Sequence, residues 1–189
     1  MKYYQLMYDY EHDDNYVYCD WETDGSFDDS VLLDGVRIGN WDPAVFRCDP
    51  KDGGEWTDYI ANTGRWLMVS ERFCKLAKRF LGDQVQYLPA KVTAPNGREV
   101  NHTCNILNVL PVLEALDLEH SLYDQFELDG EKIMTIEKYA LKGAAVKGHH
   151  IFRLKEDNLP VFVSEAIRDV VEANRLTGFD FLEVRVCGD

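Results

Sequence analysis

One pattern occurs twice in this sequence and constrains its fold more than any other feature: an apolar run, Ser-Glu, an amphipathic segment, a glycine and a second apolar run. In the first copy, Trp66–Val69 precedes Ser70 and Glu71, and apolar residues then recur at helical spacing until Gly82. Serine caps the free N–H groups of a helix, an acidic residue in the first turn complements the helix dipole, and glycine ends many helices in the left-handed conformation. The pattern therefore predicts a strand, a helix over residues 70–81 and a further strand.

The second copy lies 94 residues further along the chain, counted from serine to serine. It consists of the run Val161–Val163, the dipeptide Ser164-Glu165, a helical stripe over about 165–177, and a strand that follows Gly178. Two such units predict an α+β fold. We expect a mixed or mostly antiparallel sheet, with the two principal helices packed on it.

Other segments predict shorter elements. Tyr3–Tyr10 and Tyr16–Cys19 are rich in tyrosine, a residue that is enriched in strands. Pro95–Arg98 lies between two extended runs and predicts a hairpin turn. Over residues 109–118, apolar residues that follow Pro111 predict a short helix, because proline is favourable at the first helical position.

Turn signals outnumber periodic runs in the first third of the chain. Pairs such as Asp34-Gly35 and Asp42-Pro43 place residues with special backbone preferences at successive bends. No low-complexity linker interrupts the chain, so we expect one domain over residues 1–189, with an aromatic, acidic and loop-rich part over 1–64. Four aromatic side chains of this part are predicted to anchor its loops to the core: Trp21, Trp41, Phe46 and Trp56.

Charge narrows the classes of partner. The 34 acidic and 20 basic residues give a net charge of −14, and residues 1–58 alone hold 15 acidic and four basic residues, a net −11. Contacts to phosphates need clustered lysine and arginine, so this balance argues against a nucleic-acid ligand and against an anionic membrane surface. An acidic surface attracts basic proteins and also serves solubility, and composition alone leaves both interpretations open.

The remaining composition favours the cytoplasm. No apolar run approaches the ~20 residues of a membrane helix, and the first residues lack the apolar core of a signal peptide. Five widely spaced cysteines without a Cys-x-x-Cys motif predict reduced, mostly buried thiols.

Motifs of catalysis and metal binding are weak. Asp117, His120 and Ser121 lie close in sequence, but a hydrolytic triad needs convergent loops, so we interpret them as the surface of a helix. The pair His149-His150 has no Cys or carboxylate at ligand spacing and is predicted to lie in an exposed loop. Neither Walker A nor Gly-x-Gly-x-x-Gly occurs. We therefore expect no catalytic residue, no metal and no cofactor.

The second copy of the repeated pattern resembles the C-terminal signature of immunity-protein family eleven, α+β proteins encoded beside bacterial polymorphic toxins. The hallmark of that family is a Gly-Phe or Gly-x-x-Phe element near the end, which Gly178-Phe179 and Phe181 match. The resemblance covers roughly residues 60–186, and the first third is similar only in being aromatic and loop-rich. Segments elsewhere that fit the family are Trp66–Glu71, Asp117–Ser121 and Ile151–Leu154.

This resemblance implies a cytoplasmic antitoxin that binds a cognate toxin domain and occludes it without chemistry of its own. Toxins that act on nucleic acids are basic, and an acidic inhibitor would associate with them quickly. We therefore expect a basic toxin domain, with nucleases as one class, to bind the acidic part of the chain. The predicted partner-binding residues are Asp13, Asp14, Trp21, Glu22, Asp24, Asp28 and Asp29. Gly178, Phe179 and Phe181 are assigned to folding.

Two other classes of protein compete with this interpretation. A small cytoplasmic enzyme with an unrecognised carboxylate site predicts a deep pocket with convergent carboxylates and shifted pKa values. A structural or adaptor subunit predicts self-association without a toxic partner.

Overall fold

The computed structural model describes residues 1–23, 25, 27–49, 53–100, 102–128 and 131–188, and it confirms an α+β fold with mixed sheets. The strands are β1 (Tyr3–Tyr8), β2 (Tyr18–Glu22), β3 (Ala44–Cys48), β4 (Tyr59–Asn62), β5 (Met68–Ser70), β6 (Val85–Thr93), β7 (Cys104–Val109), β8 (Val112–Leu113), β9 (Leu122–Leu128), β10 (Glu131–Lys138), β11 (Ala140–Lys142), β12 (Ile151–Leu154), β13 (Val161–Ser164) and β14 (Phe179–Cys187). The helices are α1 (Glu71–Leu81), α2 (Gly143–Val146) and α3 (Glu165–Ala173).

Six strands close into a barrel in the order β2-β3-β6-β7-β5-β4, an element that the sequence patterns did not predict. The junctions β2–β4 and β3–β6 are parallel, and the other junctions are antiparallel. Alternation along β7 separates two cores, because successive side chains of a strand point to opposite faces. Cys104 and Ile106 belong to the core of the barrel, whereas Leu107 and Val109 pack outside it against the helices.

A second sheet has the order β11-β14-β1-β13-β12-β8, and β9 and β10 form a separate hairpin. The sheet is covered on both faces, as β13 illustrates. Val161 and Val163 face the helices, and Phe162 between them belongs to the core on the opposite face. A strand buried on both faces has a continuous apolar sequence, which is why this run was recognisable.

Helices α1 and α3 join the barrel to the sheet. Both contribute to one core that also contains Leu107 of the barrel and Val163 of the sheet. In each copy of the repeated pattern, the strands before and after the helix are parallel and one antiparallel strand lies between them, giving β5-β7-β6 and β13-β1-β14. Each copy is therefore a split β-α-β unit, and there is one such unit in the barrel and one in the second sheet.

The two Ser-Glu dipeptides differ in their capping. Ser70 caps α1 as predicted, because its Oγ accepts the N–H of Phe73 at 3.0 Å. Ser164 also has the backbone conformation of an N-cap, but its Oγ makes no capping bond. It lies instead 2.7 Å from Nδ1 of His150.

Helix α3 is shorter than predicted, ending at Ala173 and not near residue 177. Arg175 adopts a left-handed conformation, with φ 51°, three positions before Gly178, where the helix was expected to end. The N–H groups of Arg175 and Leu176 donate to the carbonyls of Glu172 and Val171, at 3.1 and 3.0 Å. These two bonds define a Schellman motif, here with arginine where glycine is usual.

The segment 109–118 is not a helix, which corrects the expectation drawn from Pro111. Its residues Val112 and Leu113 form β8 and pair in parallel with β12. The hairpin prediction at Pro95–Arg98 is confirmed, because the N–H of Ala94 donates to the carbonyl of Arg98 between the antiparallel strands β6 and β7.

The five cysteines carry thiols outside any disulfide, and all but Cys187 are buried. Burial raises the pKa of Cys104 to about 12 and that of Cys74 to about 11, which leaves almost no reactive thiolate at neutral pH. Within the described residues, no helix is both long and apolar enough to span a membrane.

Candidate functional site: an aromatic cavity at the end of the barrel

Aromatic rings gather at the end of the barrel where β2 and β4 finish and β3 and β5 begin. Trp66, which is buried, is the centre of this group and lies 4.4 Å from Trp21, 5.8 Å from Phe27 and 6.3 Å from Trp41, measured between ring centroids. It also packs on Phe46 of the barrel core at 5.7 Å. The prediction that Trp21, Trp41, Phe46 and Trp56 anchor the N-terminal part is confirmed, because Phe46 belongs to the barrel core and the three tryptophans pack against that core.

The half-buried rings of this group border a cavity of about 540 Å³. Trp41 is held at its edge because its indole N–H donates to the carbonyl of Pro89 at 2.8 Å. The backbone N–H of Trp21 donates to Oγ1 of Thr63 at 2.8 Å, which fixes the end of β2. The principal polar residues of the lining are Glu22, Thr23, Asn40 and Asp42.

Two carboxylates lie on the wall of this cavity. Oε1 of Glu22 lies 3.8 Å from Nη1 of Arg47, and both side chains are about half exposed, at 46% and 51%. An exposed pair at this distance contributes little, so Glu22 keeps most of its attraction for another cation. Asp42 makes no ion pair with any residue that the structure describes. The described lining contains no lysine, arginine or histidine, so the cavity favours positive charge.

Asp28 and Asp29 lie next to the aromatic group. Oδ1 of Asp28 accepts the N–H and the hydroxyl of Ser30, at 3.1 and 2.7 Å, and these bonds hold the pKa of Asp28 below its ordinary value. Asp29 is exposed and lines a neighbouring cavity of about 320 Å³, which shares Trp66 with the first. Of the predicted partner-binding residues, the structure therefore brings Trp21, Glu22, Asp28 and Asp29 to one region.

Asp13 and Asp14 lie elsewhere, in a single 3₁₀ turn before β2. This turn is beside a different aromatic group, in which Tyr8 lies 6.5 Å from Tyr16 and 5.6 Å from Tyr59. No contact of the described residues joins Asp13 or Asp14 to the cavity. Asp24 lies outside the described residues.

Sequence reasoning missed Asp42 and assigned Trp41 and Trp66 to packing alone. The available signal was the succession Gly39-Asn40-Trp41-Asp42-Pro43, which sets an aromatic and an acidic side chain inside a turn. Large aromatic residues at a bend are often exposed on one side. Trp41 is such a residue, and it borders the cavity.

The family comparison decides what kind of protein carries this cavity. The model of the immunity protein family (Imm11) matches residues 5–186, nearly the whole chain and all the described residues of the cavity. The chain belongs to the Imm11 immunity protein family. The resemblance noted from residues 60–186 is thereby confirmed and extended through the N-terminal barrel. No curated protein matches the sequence.

In this Imm11 chain the Gly-Phe element serves the fold. Gly178 has φ +83°, and a Cβ there would collide with the carbonyl oxygen of Tyr59. Phe179 stacks on Phe73 of α1, with centroids 5.0 Å apart and planes at 28°. The carbonyl of the preceding Thr177 accepts the N–H groups of Asp58 and Tyr59, so the element ties the loop after α3 to β4.

A buried carboxylate completes this connection. Asp58 accepts the hydroxyl of Ser70 at 2.6 Å, the N–H of Thr177 at 3.2 Å and the guanidinium of Arg72 at 3.3 Å. His102 lies in the same region, but it stacks on Trp56 at 4.1 Å and no hydrogen bond joins it to Ser70 or Asp58. The arrangement therefore fixes Ser70, the N-cap of α1, and does not form a Ser-His-Asp triad.

Two histidine predictions need correction. Residues 117–121 form a turn and not a helix surface: the Asp117 carboxylate accepts the N–H groups of Glu119 and His120 at 3.1 and 3.3 Å, and its Oδ2 lies 3.0 Å from Nδ1 of His120. Cys187 lies within 4.8 Å of these groups, but the carboxylate already closes the turn. His149-His150 is half-buried and not exposed, because His150 packs against β13 through its contact with Ser164.

Proposed function

We propose that this chain is an immunity protein that binds and occludes a toxin domain encoded beside it. The observation that carries the proposal is the match of the Imm11 model over residues 5–186. Inhibition by occlusion needs a complementary surface and no catalytic group. On this proposal the protein acts in the cytoplasm as a non-enzymatic inhibitor, folded as a single domain.

The partner surface proposed here is the acidic end of the barrel. Its support is charge and shape: the exposed carboxylates of Glu22 and Asp42 line a cavity walled by aromatic rings, and the exposed Asp28 and Asp29 lie beside it. Tryptophan and tyrosine are enriched among the residues that dominate binding energy, and charged rims set the rate of association. A basic toxin, with a nuclease as the class that fits best, would meet a surface that imitates the charge of its substrate.

Growth rescue tests this function. The neighbouring toxin domain is expressed with the chain, with an empty vector, or with the chain and an unrelated toxin domain, and viable counts are followed. We expect rescue from the neighbouring toxin alone, together with a complex that copurifies. A toxic neighbour that the chain neither binds nor neutralises would overturn the proposal for this pair.

A further inference from the structure

The cavity at the end of the barrel is lined by aromatic rings and carboxylates, the groups that bind organic cations. Trp21, Phe27, Trp41 and Trp66 supply rings on its lining, so three of the four tryptophans of the chain border one cavity. Its volume of about 540 Å³ falls inside the range of about 300–1,000 Å³ that is usual for sites of small ligands. Phe27 and Trp41 pack edge to face with centroids 5.4 Å apart, so two of the walls contact each other without a partner.

The polar groups of the cavity favour a positively charged ligand over a negatively charged one. Glu22 and Asp42 are acidic, Asn40 and Thr23 are neutral, and the described lining offers no cationic side chain. A cation over an indole face is attracted by the ring quadrupole, and the attraction grows when water is excluded. An anion would meet two carboxylates without a compensating donor charge.

We propose that this cavity receives an arginine side chain of the toxin domain, a statement that rests on the proposed function. Arginine is favoured over lysine because its planar guanidinium stacks on aromatic faces, sheds water more readily and donates two parallel hydrogen bonds to a carboxylate. Asp42 is the carboxylate assigned to this pairing, because it forms no ion pair with any described residue, whereas Glu22 has a weak partner in Arg47 at 3.8 Å.

The cavity itself can be tested without the toxin. Nα-acetyl-arginine methylamide is titrated into the ¹⁵N-labelled protein while the indole N–H resonances are recorded, with the neutral isostere Nα-acetyl-citrulline methylamide as matched ligand. Trp56 is an internal reference because it stacks on His102 away from the cavity. We expect saturable shifts for Trp21, Trp41 and Trp66 with a Kd of about 1–10 mM for the arginine derivative only. No saturation up to about 50 mM, or equal shifts with citrulline, would overturn the proposal.

Variants extend the test to the carboxylate. Asp42→Asn keeps the shape of the side chain and is expected to weaken arginine binding about tenfold, through the loss of one charge-assisted hydrogen bond. Asp34→Asn changes the net charge equally at an exposed position outside the lining and should leave the Kd unaltered. An equal effect of the two variants would show general charge attraction and contradict a specific pairing.

The toxin complex separates this inference from the proposed function. Asp42→Asn is expected to raise the Kd of the complex about 10- to 100-fold, chiefly through faster dissociation, while Asp34→Asn stays within about twofold of wild type. If the wild-type complex forms and Asp42→Asn binds equally well, the function stands and the arginine assignment fails. If the wild-type chain neither binds nor protects, the proposed function fails, and with it the assignment of the arginine to the toxin.

Discussion

Replacing Gly178 by alanine is the most informative single change in the fold. At φ +83° an alanine is strained by about 1–2 kcal/mol, as is any L-residue in the left-handed region. The added Cβ would also overlap the carbonyl oxygen of Tyr59 and lie 2.9 Å from Cβ of Thr57. Tyr59 is the first residue of β4 and Thr57 lies two residues before it, so relief requires movement of backbone, at a further cost of about 1–3 kcal/mol.

Gly148 provides a matched control. Its φ is +85°, and a Cβ there would meet nothing within 4 Å. Gly148→Ala therefore carries the backbone strain alone, and the entropy that alanine removes from the unfolded chain is the same for both variants. We expect Gly178→Ala to lower the free energy of unfolding by about 2–5 kcal/mol and Gly148→Ala by about 1–2 kcal/mol.

The measurement is equilibrium unfolding in urea, monitored by tryptophan fluorescence and by circular dichroism, with the free energy extrapolated linearly to water. The difference between the two variants isolates the close approach of the loop to β4. Equal losses in the two variants, within about 0.5 kcal/mol, would refute the reasoning that Gly178 is required for contact and not only for conformation.

Three further predictions follow from named contacts. Arg175→Gly should stabilise the protein by about 0.5–1 kcal/mol, because glycine relieves the left-handed strain at φ 51°. Asn174→Gly, at φ −103°, should give no such gain. Thermal unfolding that ranks the two variants in the opposite order would contradict the Schellman assignment. Asp58→Ala should cost about 2–4 kcal/mol in urea unfolding, because it leaves three donors without their acceptor, and a loss below about 0.5 kcal/mol would contradict the proposed connection. Burial lowers the pKa of His102 and of His150, so the unfolded chain binds more protons below about pH 6.5 and the free energy of unfolding should fall as the pH falls from 7 to 5.5. His102→Phe, which keeps an aromatic ring at that position, should reduce this slope, and an unchanged slope would exclude His102 as a cause.

The elements that the sequence predicted correctly are those with local signals. Ser70, Gly82 and the apolar spacing between them define α1 without any information from the rest of the chain. The strand β13 is recognisable because it is buried on both faces. Helix α3 was drawn too long because its end depends on Arg175, a residue type that rarely adopts the required conformation.

The barrel was not predictable in this way, because it is closed by parallel pairing of distant segments. Tyr18 pairs with Ala61, and Ala44 with Ala90, and no local period encodes such contacts. The same holds for β8. Its two residues form a strand because they pair with Arg153 and Leu154 of β12, a contact that the local sequence does not encode. The cavity required four separate segments to converge, so the sequence identified Trp21 and Glu22 as candidates but not Asp42.

The central claim is that the acidic end of the barrel binds the toxin domain, and calorimetric titration of two double variants tests it most directly. Glu22→Lys with Asp29→Lys reverses two charges beside the cavity and spares Asp28, which caps the following turn. Asp124→Lys with Glu127→Lys makes the same change in net charge on the exposed strand β9. We predict that the first pair raises the Kd of the toxin complex at least about 100-fold, and that the second stays within about fivefold of wild type. Wild-type affinity in the first pair, or a larger loss in the second, would contradict the account.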